Sequence, residues 1–345
     1  MNKKLLIIGS NSIHTYNYID LVKEYFDDIL LLTNEKNKSY NIKSFEINFS
    51  LGLNIFSSVL KIKQIVDEFN PSIIHIHQAN SYAFLSIIAL RNSNTPKVLT
   101  AWGSDILINS KKNIFLKIML KYILNNIDTI TADSNIVLNT AQEITSKKLN
   151  KHNINFGINI EKCKEFKKEN IIYSNRLHKP LYNIDKVIIS FSKFLEINPE
   201  WKLVVAASGS ETDNLKELCI DLNITNNVKF IGWVDNKTNF EYYCKSKIYI
   251  SIPSSDSVSL SLIEAIVSGC IVFVSDLLAN HEIINSDIGF IESNKENIDF
   301  SKYIDISLSQ FEQKRQEIEN DFSKIVNKEK YLNIYKVLME ENETN

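Results

Sequence analysis

Asp256 and Glu264 are two carboxylates separated by seven residues, inside the stretch Ser251 to Ile284. An apolar run, Ile248 to Ile252, leads into a Ser-rich turn that carries Asp256. The segment LSLIEAIV follows, with Glu264 inside it, and Ser268-Gly269 stops it before a second apolar run, Ile271 to Val274. Strand, turn, helix and strand in that order predict one right-handed crossover of a parallel sheet, with ligands bound where the strands end. A turn of small residues feeding a helix start, Ser257, Val258, Ser259 and Leu260, offers backbone N–H groups to an anion such as a diphosphate. A carboxylate on the same helix can accept hydrogen bonds from sugar hydroxyls.

Other residues with chemistry also end apolar runs. Arg176 follows Ile171 to Ser174, and its planar fork suits phosphate oxygens at any pH. His75-Ile76-His77-Gln78 ends one run and Ala101-Trp102-Gly103-Ser104-Asp105 ends the next. His77 has two readings, an imidazole supplied to a cleft and a strand-end histidine satisfied by backbone, and the sequence leaves both open. His75 shares its face, but a metal reading needs a third ligand that the sequence does not offer. Gly9-Ser10-Asn11-Ser12-Ile13-His14 follows the first run and is not a GxGxxG fingerprint.

The elements that must position these residues alternate along the chain. Short apolar strands (4–9, 28–33, 73–77, 97–102, 129–132) are separated by helical stretches (16–25, 55–69, 82–91, 114–126). Such continuous apolar strands between helices indicate a parallel sheet covered on both faces. The pattern breaks in the Lys- and Asn-rich region 147–170 and restarts at Ile171. The expectation is two Rossmann-like α/β halves, 1–165 and 166–324, with a hinge near 160–170.

The acidic segment resembles the donor-site signature of glycosyltransferase family 4, with Asp256 at a position that usually holds Glu, and with Glu264-Ala265 and Ser268-Gly269 in register. Asn175-Arg176-Leu177 is similar to the family's Gly-Arg-Leu, while Tyr182-Asn183 stand where Lys-Gly is common; Lys179 and Lys186 are nearby but out of register. Ser208-Gly209-Ser210-Glu211 is similar to the family's Gly-x-Gly-x-Glu turn, and Gly232-Trp233-Val234 to the turn whose backbone holds the base. Thr100 to Asp105 resembles a segment with His-Gly followed by Asp, except that Trp102 replaces the His.

The resemblance implies the GT-B architecture: two Rossmann-like domains facing each other across a cleft. A C-terminal helix, about 325–345, would cross back to the first domain. It implies donor contacts from Glu264 to the ribose, Asp256 to the sugar and Arg176 to the diphosphate, with Tyr182, Ser257 to Leu260, Gly209 and Gly232 to Val234 around them. Gly9, His14, Trp102, Gly103 and Asp105 would line the acceptor side, and His77 joins Asp256 and Arg176 as a catalytic candidate. The implied activity is retaining transfer of a sugar, UDP-linked by preference, to a glycan or lipid-linked saccharide of surface polysaccharide biosynthesis. No metal or other cofactor is expected.

Bulk properties narrow the classes. With 39 Lys and Arg against 41 Asp and Glu, the net charge of -2 predicts no general affinity for nucleic acid. The 345 residues exceed what one core usually serves. No apolar run approaches the ~18 residues of a membrane span, and the four cysteines show no CxxC spacing and read as reduced thiols of a cytoplasmic protein. The stretch 110–121 is basic and amphipathic. Its readings are a core-facing helix with a solvated Lys edge, or a peripheral contact with the inner face of the plasma membrane. The absence of Asp-x-Asp disfavours the metal-dependent transferase fold. A non-catalytic subunit that stabilises a partner is the competing class, supported by Trp102, Tyr182 and Ser257 at altered positions.

Overall fold

The computed structural model describes residues 3–37, 39–161, 163 and 166–344. Lys162, Lys164 and Glu165, inside the hinge expected at 160–170, lie outside the described residues. The chain divides into two compact units, Met1–Gly157 with Lys324–Asn345, and Ile158–Ser323.

The first unit is a seven-stranded parallel sheet of β1 (Lys4–Ile8), β2 (Asp28–Thr33), β3 (Ser44–Glu46), β4 (Ile73–His77), β5 (Lys97–Thr100), β6 (Thr129–Ala132) and β7 (Asn150–Asn153). The spatial order is β3-β2-β1-β4-β5-β6-β7. Successive residues of β1 feed opposite cores, because side chains alternate across a strand. Leu6 and Ile8 pack with residues of helices Ile55–Phe69, Ser81–Ala89 and Ile114–Asn125. Leu5 and Ile7 pack with Tyr18 and Ile19 of helix Ile13–Val22 and with Tyr331 and Tyr335 of the last helix, Lys324–Thr344. The last helix thus completes one face of the first unit. Helix Ile55–Phe69 stops at Asn70, which takes the left-handed conformation (φ 49°) before Pro71.

The second unit is a six-stranded parallel sheet of β8 (Glu169–Ser174), β9 (Lys202–Ala206), β10 (Val228–Gly232), β11 (Ser246–Ser251), β12 (Ile271–Ser275) and β13 (Gly289–Glu292). Its order is β10-β9-β8-β11-β12-β13. Ile172, Leu203, Val205, Ile248 and Phe273 form one core with helix Ile184–Leu195.

Both sheets reverse their strand order once, between β1 and β4 in the first and between β8 and β11 in the second. Ligands of open α/β sheets bind outside the carboxyl ends of such strands. Arg176 follows β8 and Asp256 follows β11, so the second reversal point carries the acidic segment.

Several elements differ from the sequence expectation. Strands β3, β7 and β13 and the helix Leu308–Phe322 had no apolar run to announce them. All three strands are sheet edges, where half of the pairing surface is open and a continuous apolar run is not required. The last helix, Lys324–Thr344, does coincide with the C-terminal helix expected at about 325–345. Cys163 and Cys244 form a disulfide, which corrects the reading of four reduced thiols; Cys219 and Cys270 are free and buried. The bonded pair is 81 residues apart in sequence, so only the fold brings them together.

Candidate active site

Arg176 is the centre of the second unit's site. Its Nη2 donates to Asp256 Oδ2 at 2.5 Å and its Nη1 to Ser259 Oγ at 2.7 Å. The guanidinium carbon lies 4.6 Å from the ring centroid of Tyr182, a cation–π contact. Its Nε is buried and has no hydrogen-bond partner. Burial disfavours the guanidinium charge most, but Asp256, Tyr249 and Tyr182 together outweigh it and raise the Arg176 pKa above the ordinary value. The Arg176 side chain is 12% exposed and that of Asp256 30%. One fork therefore gathers residues from the ends of β8 and β11 and the start of helix Leu260–Val267.

Ser257 and Val258 are buried, so the turn can present its backbone to an anion more readily than their side chains. The Ser257 N–H donates to Asp256 Oδ1 at 3.0 Å, which fixes the carboxylate against the turn. Ser259 does not cap its helix with its side chain; its hydroxyl is turned to Arg176. The N–H groups of a helix's first turn have no partner within the helix, which favours negative charge there.

Glu264 lies on the same helix, and the Tyr243 hydroxyl donates to its Oε2 at 3.2 Å. Tyr243 is itself held by Asn175, whose Nδ2 donates to Tyr243 Oη at 2.8 Å and to Asn239 Oδ1 at 3.1 Å. Tyr249 Oη donates to Asn175 Oδ1 at 2.9 Å. Through Tyr243, the ribose candidate Glu264 is thus joined to Asn175, the residue before Arg176. Burial raises the pKa of both tyrosines, so they act as neutral donors. This hub went unnoticed in the sequence, where Asn175 merely occupied the first position of an Asn-Arg-Leu motif. The signal available was that a family Gly had become a side chain able to both donate and accept.

The absent Lys has a structural counterpart in two observations. Tyr182 fills the face of Arg176, and Lys186 is paired with Glu296. Lys295, which no motif singled out, donates to the Pro253 carbonyl at 2.9 Å and so brings a cation to the loop after β11.

Two turns complete the second unit's edge. A Cβ on Gly209 would lie 2.2 Å from the His178 carbonyl oxygen, so only glycine fits there. The Glu211 N–H donates to the same carbonyl at 3.0 Å, tying this turn to the segment after Arg176. Gly232 has φ +67°, and the Ala207 N–H donates to its carbonyl at 2.7 Å. Trp233 is 71% exposed, while Val234 is half-buried.

In the first unit, Gly9 and His77 meet at the reversal point. A Cβ on Gly9 would approach Thr15 Oγ1 to 3.0 Å and His77 Cβ to 3.3 Å. His77 is fully buried and neither ring nitrogen has a hydrogen-bond partner. Burial pushes its pKa down to about 3, with His14 adding to the effect. Its ring is enclosed by Tyr18, His75, Phe156 and Trp102, so the catalytic candidate is a neutral imidazole shut off from solvent. His14 is exposed and lies edge-on to Trp102, with centroids 5.1 Å apart.

Two further residues are structural anchors. Asp105 is buried, and its carboxylate accepts from the Ala79 N–H at 2.7 Å and the Trp102 N–H at 3.0 Å. It holds the loops after β4 and β5 together from a buried position. Gly103 takes φ 98° just before helix Ser104–Leu107. His75 has both ring nitrogens occupied: Nδ1 faces the hydroxyls of Tyr18 at 2.7 Å and Tyr335 at 2.6 Å, and Nε2 faces Thr100 Oγ1 at 2.6 Å. It therefore bonds the sheet to the last helix. Among the described residues, no cluster of three His, Cys, Asp or Glu side chains could hold a metal.

The fold agrees with the comparisons. The sequence model of "Glycosyl transferase 4-like" proteins matches residues 3–134, and that of "Glycosyl transferases group 1" matches residues 157–324. Alpha-monoglucosyldiacylglycerol synthase of Streptococcus pneumoniae is 26% identical over 233 residues, covering 61% of this chain and 53% of that protein. The chain spans between 42% and 62% of the length of the curated relatives it matches. A glycosyltransferase structure from Rickettsia africae superposes with a TM-score of 0.77 at 19% identity, over 98% of this chain and 99% of that one. HepE of Anabaena, solved with UDP, gives a TM-score of 0.78 at 13% identity over 97% and 100%.

Two parallel α/β units, each with its reversal point, define the GT-B class. The chain belongs to the glycosyltransferases of the family 4 kind.

Proposed function

We propose that the chain transfers a sugar from a nucleotide donor, UDP-linked by preference, to a hydroxyl of a saccharide or lipid-linked saccharide. The setting would be surface polysaccharide biosynthesis on the cytoplasmic side of the membrane. The reading is carried by one constellation: Arg176, Asp256 and Ser259 joined at the carboxyl ends of β8 and β11, beside the helix that bears Glu264. Two relatives support its two halves. HepE was solved with UDP and glucose, and the pneumococcal relative is named for synthesis of a glycosylated diacylglycerol.

In this reading Glu264 accepts from ribose hydroxyls, Asp256 from the donor sugar, and Arg176 exchanges Asp256 for diphosphate oxygens. The bond from the anomeric carbon to the phosphate oxygen breaks as the acceptor oxygen bonds to that carbon on the same face. The acceptor proton passes to the departing phosphate oxygen, and attack on the face the phosphate leaves gives retention. Positive charge that develops on the sugar is balanced by the diphosphate, which Arg176 and the amides of 258–260 hold in place. These protein groups take the leaving-group charge, so the proposal requires no metal.

The test is incubation with a panel of nucleotide sugars and saccharide acceptors, with NMR assignment of the product anomer. An α-linked product from an α-linked donor is expected. A β-linked product overturns retention. Nucleotide binding without turnover of any donor favours the non-catalytic subunit instead.

A further inference from the structure

Two segments of the first unit leave large apolar side chains in solvent. Along helix Ile55–Phe69 and the turn before it, Leu53, Phe56 and Leu60 are exposed, Phe56 to 75%. At the start of helix Ile114–Asn125, Ile114, Phe115 and Ile118 are exposed, Phe115 to 80%. Both helices pack against helix Ser81–Ala89, which lies between them on one face of the sheet. Both also begin at the sheet's carboxyl edge, because crossover helices run antiparallel to the strands they connect. The opposite stripe of the second helix, Met119, Leu120, Ile123 and Leu124, is buried in the core, so these exposed residues are surplus to folding.

The charge of the same segments is one-sided. Residues 51–63 and 108–121 hold six lysines and no aspartate or glutamate, in a chain whose net charge is -2. Lys111, Lys112, Lys117 and Lys121 are all exposed beside Phe115 and Ile118. Exposed apolar side chains ringed by cations match an interface that is apolar below and anionic above. A second copy of the chain is a poor occupant, since a two-fold contact would set like charges against each other.

We propose that this face of the first unit docks on an anionic lipid bilayer, with Phe56 and Phe115 entering the acyl boundary and the lysines meeting lipid phosphates. The docking stands on its own residues and does not depend on sugar transfer. No helix among the described residues is long and apolar enough to cross a membrane, so the contact is peripheral.

The experiment is co-sedimentation of the full chain with phosphatidylcholine vesicles, with and without phosphatidylglycerol. Binding is expected only with phosphatidylglycerol and is expected to weaken as salt rises. Lys111→Glu with Lys112→Glu should weaken it roughly thirtyfold or more, at about fivefold per lysine. Phe115→Ser with Ile118→Ser should abolish it. Leu53→Ser with Phe56→Ser, on the other segment, should weaken it at least tenfold, because the face is shared. These side chains are exposed, so each variant should unfold at the wild-type temperature. The proposal is overturned if the wild type ignores anionic vesicles, if either apolar pair leaves binding unchanged, or if light scattering finds a dimer that the substitutions dissolve.

Discussion

The contact between Arg176 and Asp256 makes the donor-site assignment quantitatively testable. The guanidinium spends both terminal nitrogens on Asp256 and Ser259. A diphosphate must therefore displace a carboxylate before it can take the fork. The pair is partly open, with Asp256 30% exposed, so solvent screening holds its strength to about 1 kcal/mol or less. Replacing Asp256 with Asn removes that competition and a nearby negative charge. UDP alone should then bind more tightly, by up to roughly fivefold.

Arg176→Ala acts in the opposite direction. It removes a charge-assisted contact worth ~1.5–3 kcal/mol and should weaken UDP roughly tenfold to a hundredfold. It also leaves Asp256 to repel the diphosphate, so the double variant should bind UDP better than Arg176→Ala alone. Titration calorimetry with UDP across the four proteins of this cycle measures the coupling directly. Sugar transfer by Asp256→Asn should fall even as its UDP affinity rises, because in the proposed reaction the carboxylate is the acceptor for the donor sugar. The reasoning fails if Asp256→Asn weakens UDP binding, or if Arg176→Ala leaves it unchanged.

Two further outcomes are expected. Asn175→Ala leaves the buried Tyr249 hydroxyl without its acceptor and releases Tyr243 on Glu264, which should cost about 2 kcal/mol of stability and weaken UDP binding; wild-type values in both urea unfolding and calorimetry would refute the hub. His75 and His77 are held neutral by burial, His77 with a pKa of about 3, while the unfolded chain protonates each near 6.5. The unfolded state then binds more protons below that pH, so stability should drop by up to ~1.4 kcal/mol per pH unit for each imidazole as acid is added. His77→Phe should flatten the urea-unfolding profile between about pH 6 and pH 4, and an unaltered slope would contradict a neutral buried ring.

The acidic segment was legible because each of its parts has a local cause. The apolar runs that became β11 and β12, the small residues of the turn and the Ser268-Gly269 stop are all written within some thirty residues. Arg176 was legible as a strand-end cation. The roles of Asp105 and His75 were not, because their partners, Ala79 and Tyr335, lie in other elements and no local pattern encodes such pairings. The same holds for Cys163 and Cys244.

By itself, the sequence determined the two βα series, their parallel sheets and the residues that end the strands, since periodicity and turn chemistry act over a few neighbours. Only the tertiary structure decided how those strand ends are used. Arg176 is bound to Asp256, Asn175 became a hub among buried tyrosines, and His77 was sealed beneath Trp102. Hydrogen bonds and burial are set by which elements meet in space, and a single chain read in order does not contain that distance information.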